Sequence, residues 1–239
     1  MNEKALSAAD SSDSLESALD LFGGGHRAIR AEPPSAALRA NRHSIQEQFE
    51  RASTSQAIGV FDRSRFGAFL DSGGEHEVYL AEDISVPDRW RVYKKTHPDH
   101  AGQTARAVAR IDGGIRVASD DATPAEYLER LILHNKIFGD EIRLEGLLQE
   151  GSSLSIVTSQ PYIKGLIPER SEVDDLLAGS GFRRMQDGFW FSQERQVGIV
   201  DTKPANFIRS DDGAIHPIDV VIFIPTEAML SLWNKRREG

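Results

Sequence analysis

The stretch V-D-T-K-P-A-N-F, Val200 to Phe207, decides how this chain is read, together with I-D-V-V at Ile218–Val221. Asp201, Lys203 and Asn206 set a carboxylate, an ammonium and an amide inside an otherwise apolar run. Alone, the segment reads equally well as an Asx-type turn, which Pro204 suits, or as part of a metal- and phosphate-binding centre. Between it and Asp219 lies S-D-D-G, Ser210–Gly213, a turn signal separating two apolar runs. A hairpin closed there would bring Asp219 beside Asn206 and offer two oxygen ligands to one hard cation.

The whole chain narrows the choice. Its 239 residues suffice for one large domain or two small ones with a substantial core. Hydrophobic residues at 39% and charged residues at 27% describe an ordinary soluble composition. A net charge of −9 and a pI near 5.3 give no basic footprint, so no nucleic-acid partner is expected. The absence of cysteine excludes disulfides, thiol nucleophiles and thiolate metal sites, and fits a reducing, cytoplasmic setting. No apolar run approaches a membrane span and the start has no apolar signal segment, so no membrane association is expected.

Residues 1–43, rich in Ala, Ser, Gly, Pro and charge, read as a weakly structured extension with a short helix around Ser14–Leu21. Ser44 and Glu47 form a capping box opening a second short helix. From Arg65 the order is strand, glycine turn, strand, turn, strand: F-G-A-F-L, then S-G-G-E, then E-V-Y-L-A-E-D and R-W-R-V-Y-K-K. His97 to Asp121 reads as an irregular insertion containing D-G-G. A clear helix follows Thr123, with Pro124 at its first position and Gly139 as its stop. Next come a hairpin across Glu150–Ser153, a connector at Gln160–Pro168 and a short helix in S-E-V-D-D-L-L-A. Strands in G-F-W-F, Q-V-G-I-V-D, N-F-I-R and A-I-H-P-I-D-V-V complete the chain, and no internal repeat is visible.

Phosphoryl transfer from ATP asks for a carboxylate at the attacking hydroxyl, oxygen ligands for Mg²⁺, and a lysine on the phosphates held by a glutamate. Lys94 ends the strand that pairs with the glycine-turn strand, so its ammonium can reach under that turn. Glu129 is within reach of Lys94 if its helix packs on the sheet. Lys95 competes with Lys94 but points to the opposite face. Glu126 competes with Glu129 but is explained as the capping-box partner of Thr123. Gly73 and Gly74 are either a phosphate-cradling turn or a plain hairpin turn. Gly23–Gly25 has no framing element. His97 and His100 have no third metal ligand nearby and read as loop. Phe189, Trp190 and Phe191 read as core or as a wall of a nucleotide pocket.

D-T-K-P-A-N resembles the catalytic-loop segment D-L-K-P-x-N of protein kinases, and Asp219 stands where those proteins carry the metal-binding Asp. V-Y-K at Val92–Lys94 resembles the end of their lysine strand, and S-G-G-E-H-E-V-Y-L a shortened glycine-rich loop. More narrowly, G-G-E-H-E-V-Y, Y-L-E-R-L-x-L-H-N-x-x-F-G-D and V-D-x-K-P-x-N resemble the compact Ser/Thr/Tyr kinase-like domains of phage and mobile-element polyvalent proteins. The resemblance implies an α+β, two-lobed kinase-like fold with an antiparallel N-lobe sheet, one main helix and a reduced C-lobe. The N-lobe and its preceding helix would occupy residues 44–164, and the C-lobe 165–239. It implies ATP and Mg²⁺ as cofactors and a protein substrate. Asp201 would orient the acceptor hydroxyl and Lys203 contact the transferring phosphate. Asn206 and Asp219 would bind Mg²⁺, Lys94 would bind the nucleotide phosphates with Gly73 and Gly74, and Glu129 would pair with Lys94. Ile199 and Val200 replace the usual His-Arg, the turn has two glycines, and Val-Val follows Asp219, with only 20 residues to Gly239. A nucleotide-binding pseudokinase or interaction module, a small-molecule phosphotransferase, and a fold with no nucleotide role are the alternatives.

Overall fold

Alternating apolar residues punctuated by glycine turns fold into antiparallel hairpins. The structure, a computed structural model, describes residues 15–20, 47–51, 58–109, 115–186, 189–227 and 229–230. Gly23–Gly25, the Ser44 cap and the D-G-G turn lie outside the described residues. In chain order the elements are α1 (15–20), α2 (47–51), β1 (Ala68–Ser72), β2 (His76–Glu82), β3 (Trp90–Thr96), β4 (Gln103–Ala109) and β5 (Ile115–Asp121). They continue with α3 (Pro124–Phe138), β6 (Arg143–Glu150), β7 (Ser153–Pro161), β8 (Gly165–Leu166), α4 (Arg170–Gly179) and β9 (Arg183–Gln186). The last are β10 (Phe189–Ser192), β11 (Val197–Val200), β12 (Phe207–Ser210), β13 (Ile215–Pro217) and β14 (Val221–Phe223). Two compact units form: Met1–Gln103 with Asp121–Tyr162, and Thr104–Asp120 with Ile163–Gly239.

The first unit is a five-stranded antiparallel sheet in the order β1-β2-β3-β7-β6, with α3 packed on one face. Helix α3 starts where the sequence requires. The Thr123 hydroxyl accepts from the Glu126 N–H, the Glu126 carboxylate accepts from the Thr123 N–H, and Gly139 closes the helix at φ 69°. Tyr127, Leu128, Leu131 and Ile132 bury that helix against Leu154 and Ile156 of β7. Leu15 (0% exposed) and Ala18 (2%) of α1 and Phe49 of α2 join the same core. The opposite face of the sheet holds a smaller core of Phe61, Tyr93, Leu148 and Val157. The edge of β6 is covered by residues 59–61, which exchange Phe61 N–H to Leu147 O and Leu147 N–H to Gly59 O bonds of 2.8 and 3.0 Å.

The second unit has a four-stranded sheet, β14-β11-β10-β9, a three-stranded sheet, β13-β12-β8, and the helix α4. Phe189, Phe191, Val200, Val221 and Phe223 fill its core. Gly198 lies opposite Phe223 in the ladder, where a Cβ would stand 2.4 Å from the ring, so glycine makes room for the aromatic side chain. The expected insertion at His97–Asp121 is corrected here. Most of it forms β4 and β5, a two-stranded sheet, of which residues 104–120 belong with the second unit. Its alanine-rich alternation, Q-T-A-R-A-V-A, carries little intrinsic β preference, and pairing supplies what propensity does not.

Candidate active site

Strands β11 and β14 pair antiparallel with Val200 opposite Val221. The chain leaving β11 at Asp201 therefore runs beside the chain entering β14 from Asp219. Between them, β12 and β13 form the hairpin expected from S-D-D-G, with Phe207 opposite Pro217. Pro204 opens a 3₁₀ turn, Pro204–Asn206, whose fixed φ suits that first position. Asn206 then enters the site only 5% exposed.

The Asn206 side chain ties the segment together. Its Nδ2 donates to the Asp201 carbonyl at 2.7 Å, to Asp201 Oδ2 at 2.8 Å and to the Asp219 carbonyl at 2.9 Å. Three acceptors and no donor around that atom fix the amide's orientation. The oxygen, the atom a hard cation would take, is thereby turned to the other side of the amide. The Ile218 N–H donates to the Asn206 carbonyl at 2.8 Å, closing the hairpin end on the loop. Asp201 has φ 55°, a left-handed conformation costly for a residue with a Cβ. Lys203 Nζ lies 3.3 Å from Asp201 Oδ2, and with its side chain 61% exposed the pair is loosely held. Asp201, Lys203, Asn206 and Asp219 are thus brought into one loop pair.

In the first unit, Lys94 lies on β3 opposite Val78 of β2 and Thr158 of β7. Tyr127 Oη reaches Thr158 Oγ1 at 3.4 Å and His76 Nε2 at 2.9 Å, so α3 packs on the face that carries Lys94. Lys95 is on the other face, 4% exposed, with its ammonium 3.2 Å from Glu77 and 2.8 Å from Glu150. The register separates the two lysines as strand alternation requires. Gly73 and Gly74 form the β1–β2 turn, pinned by Gly73 N–H to His76 O at 2.9 Å and by the His97 ring nitrogen to Gly73 O at 2.8 Å. A Cβ at either glycine would meet nothing within 4 Å, so the turn makes no steric demand of its own for glycine. His97 is spent on this contact, and Asp99 accepts from the Leu154 N–H at 3.1 Å, which accounts for H-P-D-H as loop structure.

Glu129 follows Tyr127 by two residues on α3 and is half-buried. A carboxylate that reaches the packed face of α3 is that of Glu75, which follows the glycine turn and is 12% exposed at its side chain. It takes Arg130 Nη1 at 3.0 and 3.2 Å, and His76 Nδ1 lies 3.5 Å from it. Glu75, His76, Tyr127 and Arg130 were not singled out in the sequence; the only signal was their place beside the glycine turn and one turn apart on the helix. Phe189, Trp190 and Phe191 are buried on β10, and Phe189 and Phe191 belong to the core of the second unit.

The family described as "Serine/Threonine/Tyrosine Kinase found in polyvalent proteins" matches residues 106–226, half of the 239-residue chain. The chain belongs to that family. The match contains Asp201, Lys203, Asn206, Asp219 and the whole of α3, while the polyvalent-protein kinase family's matched segment begins after Gly73, Gly74 and Lys94. Comparison with curated proteins returns no match. Within the matched segment, the loop from Asp201 to Asn206 is closed onto Asp219 through one buried amide.

Proposed function

We propose that this chain transfers the γ-phosphoryl group of ATP, in a Mg²⁺-dependent step, to a hydroxyl group on protein. The observation that carries the reading is the Asn206 amide, which joins the Asp201 carbonyl and carboxylate to the Asp219 backbone. In this reading the five-stranded unit is the nucleotide lobe and the second unit a reduced catalytic lobe. The donor set fits the cofactors: an amide oxygen and carboxylates are ligands for a hard cation, and lysines suit phosphates. MgATP, when bound, supplies the transferable phosphoryl group and the charge that offsets its oxygens.

The protein's own residues do the positioning. Asp201 Oδ2, fixed by Asn206, accepts the proton side of the acceptor hydroxyl and aligns its oxygen. Lys203, exposed beside it, would meet the transferring phosphate, and Asn206 with Asp219 would hold Mg²⁺. Lys94, on the first unit, would meet nucleotide phosphates together with the Gly73–Gly74 turn, which presents no Cβ to a ligand. Glu75 supplies the carboxylate that holds the turn to α3 through Arg130. Serine, threonine or tyrosine as acceptor is left to the assay.

The test is transfer of label from γ-labelled ATP with Mg²⁺ to dephosphorylated casein. The wild type is expected to label protein, and Asp201→Asn to lower the rate by about 10²- to 10⁴-fold while still binding ATP. The lack of a His-Arg before Asp201 favours a second reading, nucleotide binding without turnover. Tight MgATP binding with no label on casein, on the chain itself or on a small alcohol would establish that reading in place of the first.

A further inference from the structure

Two adjacent peptide carbonyls in the catalytic loop are each held by a side chain, but from different directions. Asn206 holds the Asp201 carbonyl from within the loop. The Thr202 carbonyl accepts a 2.7 Å bond from Nη1 of Arg170, a residue 32 positions earlier at the start of α4. Thr202 is itself 1% exposed, so its carbonyl needs a protein donor. Arg170 is also ion-paired along its own helix: its Nε stands 3.1 Å from Asp174 Oδ1, one turn on, without hydrogen-bond geometry. Asp174 Oδ2 is also 3.2 Å from Arg184 Nη1 on β9, so the carboxylate is anchored from two sides. The guanidinium therefore lies between a carboxylate that offsets its charge and the loop carbonyl to which it donates.

Asp201 is the residue that needs this support. At φ 55° it sits in a left-handed conformation that persists only where its surroundings over-determine it. The two peptide planes that flank Asp201 are set by the β11–β14 ladder at Val200 and by Asn206 on the Asp201 carbonyl. Arg170 fixes the next plane, beyond Thr202, so a relaxation of Asp201 to negative φ cannot be taken up there. Ile199 and Val200, which precede Asp201, are buried in β11 and offer no polar side chain to the loop backbone. We infer that Arg170 is a positioning residue, which through the Thr202 carbonyl keeps Asp201 in its left-handed conformation and so sets the carboxylate for phosphoryl transfer. The inference rests on the phosphotransfer reading for its catalytic half.

The experiment uses the full chain with Arg170→Met and Arg170→Lys, and with Arg195→Met as the control. Arg195 makes a bond of the same kind, Nη1 to the Ser180 carbonyl at 2.5 Å, at the opposite end of α4 and away from the loop. Amide hydrogen exchange is followed over residues 200–207, and label transfer from γ-labelled ATP to casein is measured with ATP varied. Arg170→Met is expected to raise exchange in that segment about tenfold or more, and to lower kcat about thirtyfold with KM for ATP little changed. Arg170→Lys, which can still donate to the carbonyl, is expected to recover most of both effects. Arg195→Met is expected to leave both at wild-type values. Unchanged exchange in Arg170→Met overturns the inference whatever the activity, as does raised exchange with unchanged kcat. A wild type that transfers no label to casein, to itself or to a small alcohol overturns the phosphotransfer reading, and exchange alone then decides whether Arg170 holds the loop.

Discussion

At the scale of single residues, the two neighbouring lysines of β3 make opposite predictions. Lys94 lies on the helix-packed face and Lys95 is buried between Glu77 and Glu150 on the other. Lys94→Met is expected to weaken ATP binding by calorimetry. Lys95→Met is expected to leave ATP binding intact and cost about 1–3 kcal/mol of stability, because two carboxylates lose their shared cation. The same corner has a pH signature. Tyr79 donates to Glu77 Oε2 at 2.6 Å; burial and that bond push the Tyr79 hydroxyl up to about 12 from the ordinary 10.0. The bond from Tyr79 in turn holds Glu77 below its usual 4.5. A raised group stabilises the fold fully below its unfolded value, so this contribution is lost as pH rises from 10.0 to about 12. A lowered carboxyl does the reverse, and the Glu77 contribution is lost as pH falls below 4.5. Urea midpoints measured across pH are expected to flatten at both ends in Tyr79→Phe relative to wild type.

At the scale of elements, what the sequence showed and what it hid divide along local and non-local lines. The α3 boundaries, the hairpins around Gly151 and Asp212, and the catalytic-loop spacing were legible because caps, turns and alternation act over a few residues. The phase of α3 was not. Tyr127 is the residue that reaches Thr158 and His76, and that phase is set by packing against strands 31 and 51 positions away. The β4–β5 pair was misread for the same reason, since alanine-rich strands gain their stability from a partner rather than from their own preference. Glu75–Arg130 and Arg170–Thr202 span 55 and 32 positions and carry no local signal. An element-scale prediction follows from the β6 bulge at Gly146. Its φ is 139°, and a Cβ there would stand 2.4 Å from the Gly59 carbonyl. Gly146→Ala is expected to lower stability by about 1–3 kcal/mol by strain and by displacing residues 59–61 from the edge of β6. A urea midpoint equal to wild type would contradict that account of the edge.

At the scale of the whole molecule, the units do not follow a single cut along the chain. Residues 104–120 leave the first unit to join the second, and α3 returns the chain to the first. The family match begins at residue 106, so it takes in the catalytic loop and α3 but not the strand of Lys94. The matched segment contains the loop pair that carries Asp201, Asn206 and Asp219, and the central claim is that these act as one centre. The most direct measurement is the single-turnover rate of label transfer from γ-labelled ATP for wild type, Asp201→Asn, Asp219→Asn and the double variant. Residues that serve one centre lose their effects together, so the double variant is expected to be no slower than the slower single variant. Equal rates in all four proteins, or losses that simply multiply, would contradict it.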